Sequence, residues 1–256
     1  MLYLIGLGLS WKDLSMKALE ALNNCEEVYL ETYTSISDFT LLQLQRLLGK
    51  IIRPLDRKQV EEELPFLAEA AIKNVALLIY GDPLAATTHQ EILHLARKRN
   101  IKTKVIHAPS IFTAIAETGL SLYRFGKVAS IPMPEKGFEP ESFFDVLKEN
   151  LSTNAHTLFL LDLKPEQNKF LTIPEAIKQL LEISKRQKEA FHEDSLVIGC
   201  ARLGFENSII KAGTAKEIMK IDFGNPPYCL IVPAKLNHKE QEYIEIKFDK
   251  ATPNVN

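Results

Sequence analysis

The chain has 256 residues, 46% of them hydrophobic and 25% charged, with a formal net charge of −2. That balance excludes a disordered chain and a nucleic-acid binder held by bulk electrostatics, and the length suffices to bury a core without covalent staples. Cys25, Cys200 and Cys229 are odd in number and form no CxxC pair, so no disulfide framework or zinc site is expected, and a reducing, cytoplasmic setting fits.

Residues 1–13 carry no basic region ahead of their apolar stretch and read as a first strand, not a signal peptide. The apolar runs are of strand length, so no membrane span is expected. Residues 2–7 predict a buried strand entering the turn Gly6-Leu7-Gly8. Ser10 and Asp13 have capping-box spacing ahead of a helical pattern over 14–22. A strand at 27–31, a helix at 38–48, a strand at 51–53 and a helix at 61–73 follow, with Pro65 tolerated only near a first turn. Residues 75–80 are the clearest buried strand, and they end in Gly81-Asp82-Pro83. Thr88 and Glu91 have the spacing of a capping box for a helix ending near Asn100, before a strand at 104–107. The alternation predicts parallel βαβ units with right-handed crossovers.

The pattern loosens at residues 108–110, which places the domain junction there: 1–109 as one α/β domain and 110–256 as a second. In the second, helices are expected at 112–118, 141–151, 174–187 and 214–220, and a Pro/Gly-rich loop at 131–137. Strands are expected at 157–161, 196–201, 208–211 and 228–232. No internal repeat is visible, and residues 251–256 are expected to fray.

Gly6-Leu7-Gly8 invites a dinucleotide reading, but Trp11 stands where that fingerprint needs its third glycine. A plain glycine turn explains the same residues. Asp82 lies beyond the strongest strand, where open parallel sheets bind ligands. It is either an acceptor for a cationic or hydroxylated ligand or a local cap; as a cap it would tolerate asparagine. Ser110 caps the next helix, touches a ligand, or both. His89-Gln90-Glu91 has the H-x-E pattern of zinc deaminases without the P-C-x-x-C that must follow. His89 and His94 are five apart, so they do not share a helical face. His156 and His192 read as structural or solvated, and the cluster 185–188 as a solvated helix end. No Gly-x-Ser-x-Gly elbow or Walker A loop is present.

Several stretches taken together and in order resemble the diphthine synthase family. They are MLYLIGLGLS, Glu31-Thr32-Tyr33-Thr34-Ser35, GDPLAATTH, HAPSI, Tyr123-Arg124-Phe125-Gly126, ESFFD from Glu141, HTLFLLD from His156, and Pro226-Pro227-Tyr228. The compact length is similar to archaeal members, without the insertion that eukaryotic members carry after Leu-Asp. The resemblance implies an α/β, two-domain, tetrapyrrole-methylase-like (class III) fold, with a Rossmann-like parallel N-terminal domain and a mixed-sheet C-terminal domain. It implies S-adenosyl-L-methionine bound in the cleft between them, no metal, and a homodimer. The implied substrate is translation elongation factor 2, trimethylated on the α-amino group of a 3-amino-3-carboxypropyl-histidine.

By local alignment the cofactor positions are Leu9, Asp82, Ala85, Ser110, Ile111, Leu161, Leu203 and Tyr228. Position 85 varies with valine in that family and position 228 is often histidine. No general base is assigned; Asp82 is the one candidate for orienting or deprotonating. The alternatives are a corrinoid-precursor methyltransferase of the same fold, a nicotinamide oxidoreductase resting on Gly6-Leu7-Gly8, and a non-catalytic binding module.

Overall fold

The computed structural model describes residues 1–135, 137, 140–189 and 191–248. The expected fraying tail at 251–256, and Lys136 of the expected loop, lie outside the described residues. The chain forms two compact units, Met1–Ala114 and Ile115–Asn256.

The first unit runs β1 (Leu2–Gly6), α1 (Met16–Asn23), β2 (Glu27–Glu31), α2 (Leu41–Leu48), β3 (Arg53–Leu55), α3 (Pro65–Ala70), β4 (Val75–Ile79), α4 (Gln90–Lys98), β5 (Thr103–Ile106) and α5 (Ile111–Ala114). Its five strands are all parallel, in the order β3-β2-β4-β1-β5. Successive side chains of a strand point to opposite faces. Leu4, Leu77 and Ile79 accordingly pack with Phe66 of α3 and Ile92 of α4. Ile5, Ala76 and Leu78 pack on the other face with Leu22 of α1 and Leu44 of α2. Every residue of β4 is fully buried, which is why it reads as a continuous apolar run and not an alternating one.

Local chemistry moves several boundaries. The Ser10/Asp13 pair closes only the tight turn Trp11–Asp13, where the Asp13 carboxylate accepts the Ser10 N–H at 3.0 Å. Helix α1 starts later, with the Ser15 hydroxyl accepting the Ala18 N–H at 3.1 Å. The expected helix at 61–73 splits into a π turn (Gln59–Glu63) and α3. Leu64 takes a left-handed φ of 51° between them, and Pro65, with no N–H to satisfy, sits in the first turn. The Thr88 capping box does not form: α4 has His89 at its N-cap with no side-chain cap.

The second unit runs β6 (Ala129–Ile131), α6 (Ser142–Ser152), β7 (Thr157–Leu161), β8 (Leu163–Lys164), β9 (Lys169–Phe170), α7 (Ile173–Gln187), β10 (Leu196–Ala201), β11 (Ile209–Thr214), α8 (Ala215–Ile218), β12 (Tyr228–Val232) and α9 (His238–Phe248). Its main sheet has the order β11-β10-β12-β7-β6, with β6 parallel to β7 and the other pairs antiparallel. The parallel first sheet and mixed second sheet match the fold that the resemblance implies. Phe144 and Leu147 of α6, Ile177 and Leu180 of α7, and Phe159 of β7 share its core. Among the described residues no helix is long and apolar enough to cross a membrane.

Candidate functional site

The connection from β1 runs through α1 to β2, and the connection from β4 runs through α4 to β5. Strands β1 and β4 are neighbours whose connections leave in opposite directions, so their carboxyl ends form the topological switch point, where open α/β sheets take ligands. Two glycine turns meet there. Gly8 donates to the Gly81 carbonyl at 3.2 Å and Gly81 donates to the Gly8 carbonyl at 2.8 Å. Both lie in left-handed backbone, φ 77° and 68°. A Cβ on Gly6 would stand 2.6 Å from the Gly81 carbonyl oxygen and 2.7 Å from the Ala108 Cβ. The ends of β1, β4 and β5 therefore converge at a spacing only glycine permits. A Cβ on Gly81 would meet nothing within 4 Å, so this turn faces open space.

The carboxylate of Asp82 is largely occupied locally. Its Oδ1 accepts the Leu84 N–H at 2.9 Å, and its Oδ2 accepts the Ala108 N–H at 3.1 Å and faces His107 Nδ1 at 2.8 Å. It ties the loop after β4 to the end of β5. Ala85 donates its N–H to the Asp82 carbonyl at 3.2 Å. Leu9, after β1, donates its N–H to Asp13 at 2.9 Å. Ser110 is buried, and its carbonyl accepts the Thr113 and Ala114 N–H groups at 3.0 Å each, so it opens α5, of which Ile111 is the first residue. These five expected cofactor positions all follow the carboxyl ends of β1, β4 or β5.

The remaining three follow the register of the second sheet. Ala201 pairs with Tyr228, Cys229 with Leu160, and Ile131 with Leu161, so one end of the sheet carries Leu161, Tyr228 and, just beyond β10, Leu203. The turn holding Leu203 is built by Arg202, a residue the sequence did not single out. Arg202 is 6% exposed and left-handed, with φ 54°. Its guanidinium donates to the Phe223 carbonyl at 2.9 Å, to the Asn207 carbonyl at 3.1 Å and to the Asn225 carbonyl. The Tyr228 hydroxyl donates to the Gly224 carbonyl, and burial pushes its phenol pKa up.

Sequence reasoning also missed a buried acid–base pair. Glu31 and His89 are 0% and 1% exposed, with His89 Nε2 2.7 Å from Glu31 Oε2. Beside the first-strand turn, Trp11, Asp38, Phe39, Gln43, Leu44 and Leu47 line a surface pocket of about 280 Å3. Among the described residues no group of three or more His, Cys, Asp or Glu side chains is placed to hold a metal ion.

Residues 1–219 match the family described as Tetrapyrrole (Corrin/Porphyrin) Methylases. The chain is similar to the "Diphthine synthase" of Methanocaldococcus jannaschii, 39% identical over 96% of this chain and 98% of that one. It is similar to the "Probable diphthine methyl ester synthase" of Arabidopsis thaliana, 36% identical over 96% of this chain and 97% of the other. Among solved structures, a "Crystal structure of diphthine synthase" aligns with a TM-score of 0.88 at 35% identity, covering 97% of this chain and 96% of that one.

Proposed function

The chain belongs to the tetrapyrrole methylase family, and from that premise we propose that it is a diphthine synthase. In this reading it uses S-adenosyl-L-methionine to trimethylate the α-amino group of the 3-amino-3-carboxypropyl-histidine of translation elongation factor 2. The observation that carries the reading is the extent of the similarity. The family match ends at residue 219, whereas the likeness to proteins named diphthine synthase spans 96% of the chain. It therefore takes in residues beyond the general methylase pattern, and this favours the peptidyl substrate over a tetrapyrrole.

The site's geometry suits such a cofactor. The turn after β1 leads into the tight turn Trp11–Asp13 and not directly into a helix N-terminus. It therefore lacks the cradle a pyrophosphate needs, and S-adenosylmethionine has no pyrophosphate. This counts against the nicotinamide reading. Leu9, Asp82, Ala85, Ser110 and Ile111 are the cofactor positions proposed in the first unit, and Leu161, Leu203 and Tyr228 those proposed in the second. Bound, the cofactor supplies a methyl group already activated by a sulfonium.

The chain's own task is then to align the amine. That amine stands beside a carboxylate, as in a free amino acid, and must release its proton before it can attack; no residue is assigned as the base. Positioning of this kind accounts for roughly 7–11 kcal/mol of barrier in favourable cases. Asp82, with both oxygens already accepting N–H groups, orients the loop in preference to taking the proton.

The test is incubation with labelled cofactor and elongation factor 2 carrying the unmethylated precursor. Mass spectrometry is expected to show a limit of three added methyl groups. A fourth, removable by mild base, would mean that the carboxylate beside the trimethylated nitrogen is also methylated, as an ester. Methylation of a corrinoid precursor with none of the factor would overturn the reading. The enzyme is further proposed to be a cytoplasmic homodimer; a light-scattering mass of 29.0 kDa at all concentrations would refute the dimer.

A further inference from the structure

The loop from Gly81 to His89 carries two expected cofactor positions, Asp82 and Ala85, and its shape is not self-sustaining. Ala86 lies in left-handed backbone at φ 58°, a region that disfavours a residue with a Cβ. The loop must therefore be held by its surroundings. Its first residues are held twice: Gly81 pairs with Gly8 at the end of β1, and Asp82 binds Ala108 at the end of β5. Its middle is held from the third direction, by β2.

Glu31 is the last residue of β2, the strand next to β4 on the side away from β1. Its Oε1 accepts the Thr34 N–H at 3.1 Å and faces the Thr34 hydroxyl. Its Oε2 lies 2.7 Å from His89 Nε2, an approach that falls outside hydrogen-bond geometry, and neither atom has a hydrogen-bond partner among the described residues. On its other side, His89 Nδ1 lies 3.0 Å from the Pro83 carbonyl oxygen. A carbonyl only accepts, so Nδ1 carries a proton and donates it. The Thr87 hydroxyl donates to the same carbonyl at 2.7 Å. The imidazole thus spans from the end of β2 to the residue that follows Asp82. With both side chains at most 1% exposed, the pair is sealed beneath the loop and does not reach a ligand itself.

We infer that the buried Glu31–His89 pair is a positioning device for the cofactor loop, with His89 clamping the Pro83 carbonyl so that the segment Asp82–Ala85 is held in its binding shape. The inference rests on the cofactor reading proposed above. It also accounts for the start of α4. The His89 side chain is turned inward to Glu31 and Pro83, so the backbone passes through it in helical conformation, φ −68°, and Thr88 forms no cap.

The two ring nitrogens have separate mimics. Asparagine at position 89 places an N–H donor near Nδ1 and keeps the Pro83 contact. Glutamine reaches toward Nε2 and keeps the Glu31 contact. Calorimetric titration with S-adenosylhomocysteine, alongside melting of the ligand-free proteins, compares His89→Gln and His89→Asn with the parent. His89→Gln is expected to weaken binding at least about tenfold, about 1.4 kcal/mol, whereas His89→Asn stays within threefold. In turnover assays His89→Gln raises KM for the cofactor more than it lowers kcat. A purely structural role would lower the melting temperature of both variants and leave the affinity of the folded proteins unchanged; that result overturns the inference alone. A parent that does not bind the ligand overturns the cofactor reading, and the inference with it. Thr87→Val, at a partly exposed position, provides the same comparison should His89→Gln fail to fold. It removes the second donor to Pro83 and is expected to weaken binding threefold to fivefold. An unchanged affinity there overturns the inference.

Discussion

Asparagine at position 82 separates the roles of that residue more sharply than the sequence suggested. A simple cap would tolerate Asp82→Asn, because asparagine also caps well. Here it does not, because the carboxylate accepts on both oxygens: from Leu84 at 2.9 Å on one, and from Ala108 at 3.1 Å on the other. An amide has one acceptor oxygen. Whichever way it turns, its NH2 faces a backbone N–H, and one donor is left without an acceptor. The side chain is only 12% exposed, so water does not fully replace the lost acceptor. Leaving such a donor unsatisfied costs about 1–3 kcal/mol. At roughly 2–4 °C per kcal/mol for a chain of this size, a drop in melting temperature of several degrees is expected. The loop must also be re-formed when cofactor binds, and each 1.4 kcal/mol is about tenfold in affinity, so the dissociation constant should rise about tenfold or more. Differential scanning fluorimetry and calorimetric titration measure the two effects. A fall in affinity with no change in melting temperature would mean that Asp82 meets the ligand and does little for the loop. A variant matching the parent in both would refute the account altogether.

Gly6→Ala drives a methyl to within 2.6 Å of the Gly81 carbonyl oxygen; overpacking of this kind costs about 1–3 kcal/mol, and melting and cofactor titration should both show the loss. The second unit should weaken in acid. Burial holds the His156 pKa below its ordinary value, against the pull of Glu240; the unfolded chain therefore binds the extra proton first, and stability falls as pH drops below about 6.5. Burial alone would raise the Glu240 carboxyl, but N–H groups of Asn237 and Ser121 outweigh it and hold it low, so a further loss follows below about pH 4.3. Melting temperatures across this range check both steps, and His156→Gln should flatten the first.

The elements that could be read in the sequence are those whose burial leaves a one-dimensional trace. Strands β4, β7, β10 and β12 are apolar runs because they are buried on both faces. Helix α9 left no such trace. Its sequence HKEQEYIEIKF is polar on most sides. It docks through Ile244 and through Glu240, which accepts N–H groups from Ser121 and Asn237 and pairs with Arg124. Strand β6 and the β8–β9 hairpin are two or three residues per strand, too short to show a period. In the candidate site, the strand-end glycines were visible because a positive φ and close backbone approach restrict the residue type. Arg202 and the Glu31–His89 pair were not, because Phe223 lies far along the chain from Arg202, as Glu31 does from His89, and only the fold brings them together.

The expected cofactor positions divide by the same logic. Leu9, Ala85, Ile111, Leu161 and Leu203 are apolar, yet each stands at the end of a strand or in the connection that follows it, where backbone groups have left the ladder. A ligand held by such groups places little demand on side-chain identity and much on the path of the chain. The side chains under constraint are then those that fix the path. Gly6 permits the approach of three strand ends, Asp82 ties β4 to β5, His89 ties β4 to β2, and Arg202 gathers the carbonyls around the turn after β10. The same reasoning covers position 85, where the resemblance implies valine as an alternative to alanine. The Ala85 N–H bonds the Asp82 carbonyl whatever its side chain, so the methyl groups of valine add packing without changing the loop. Residue conservation in such a site should follow the scaffold beneath the ligand more closely than the surface that meets it.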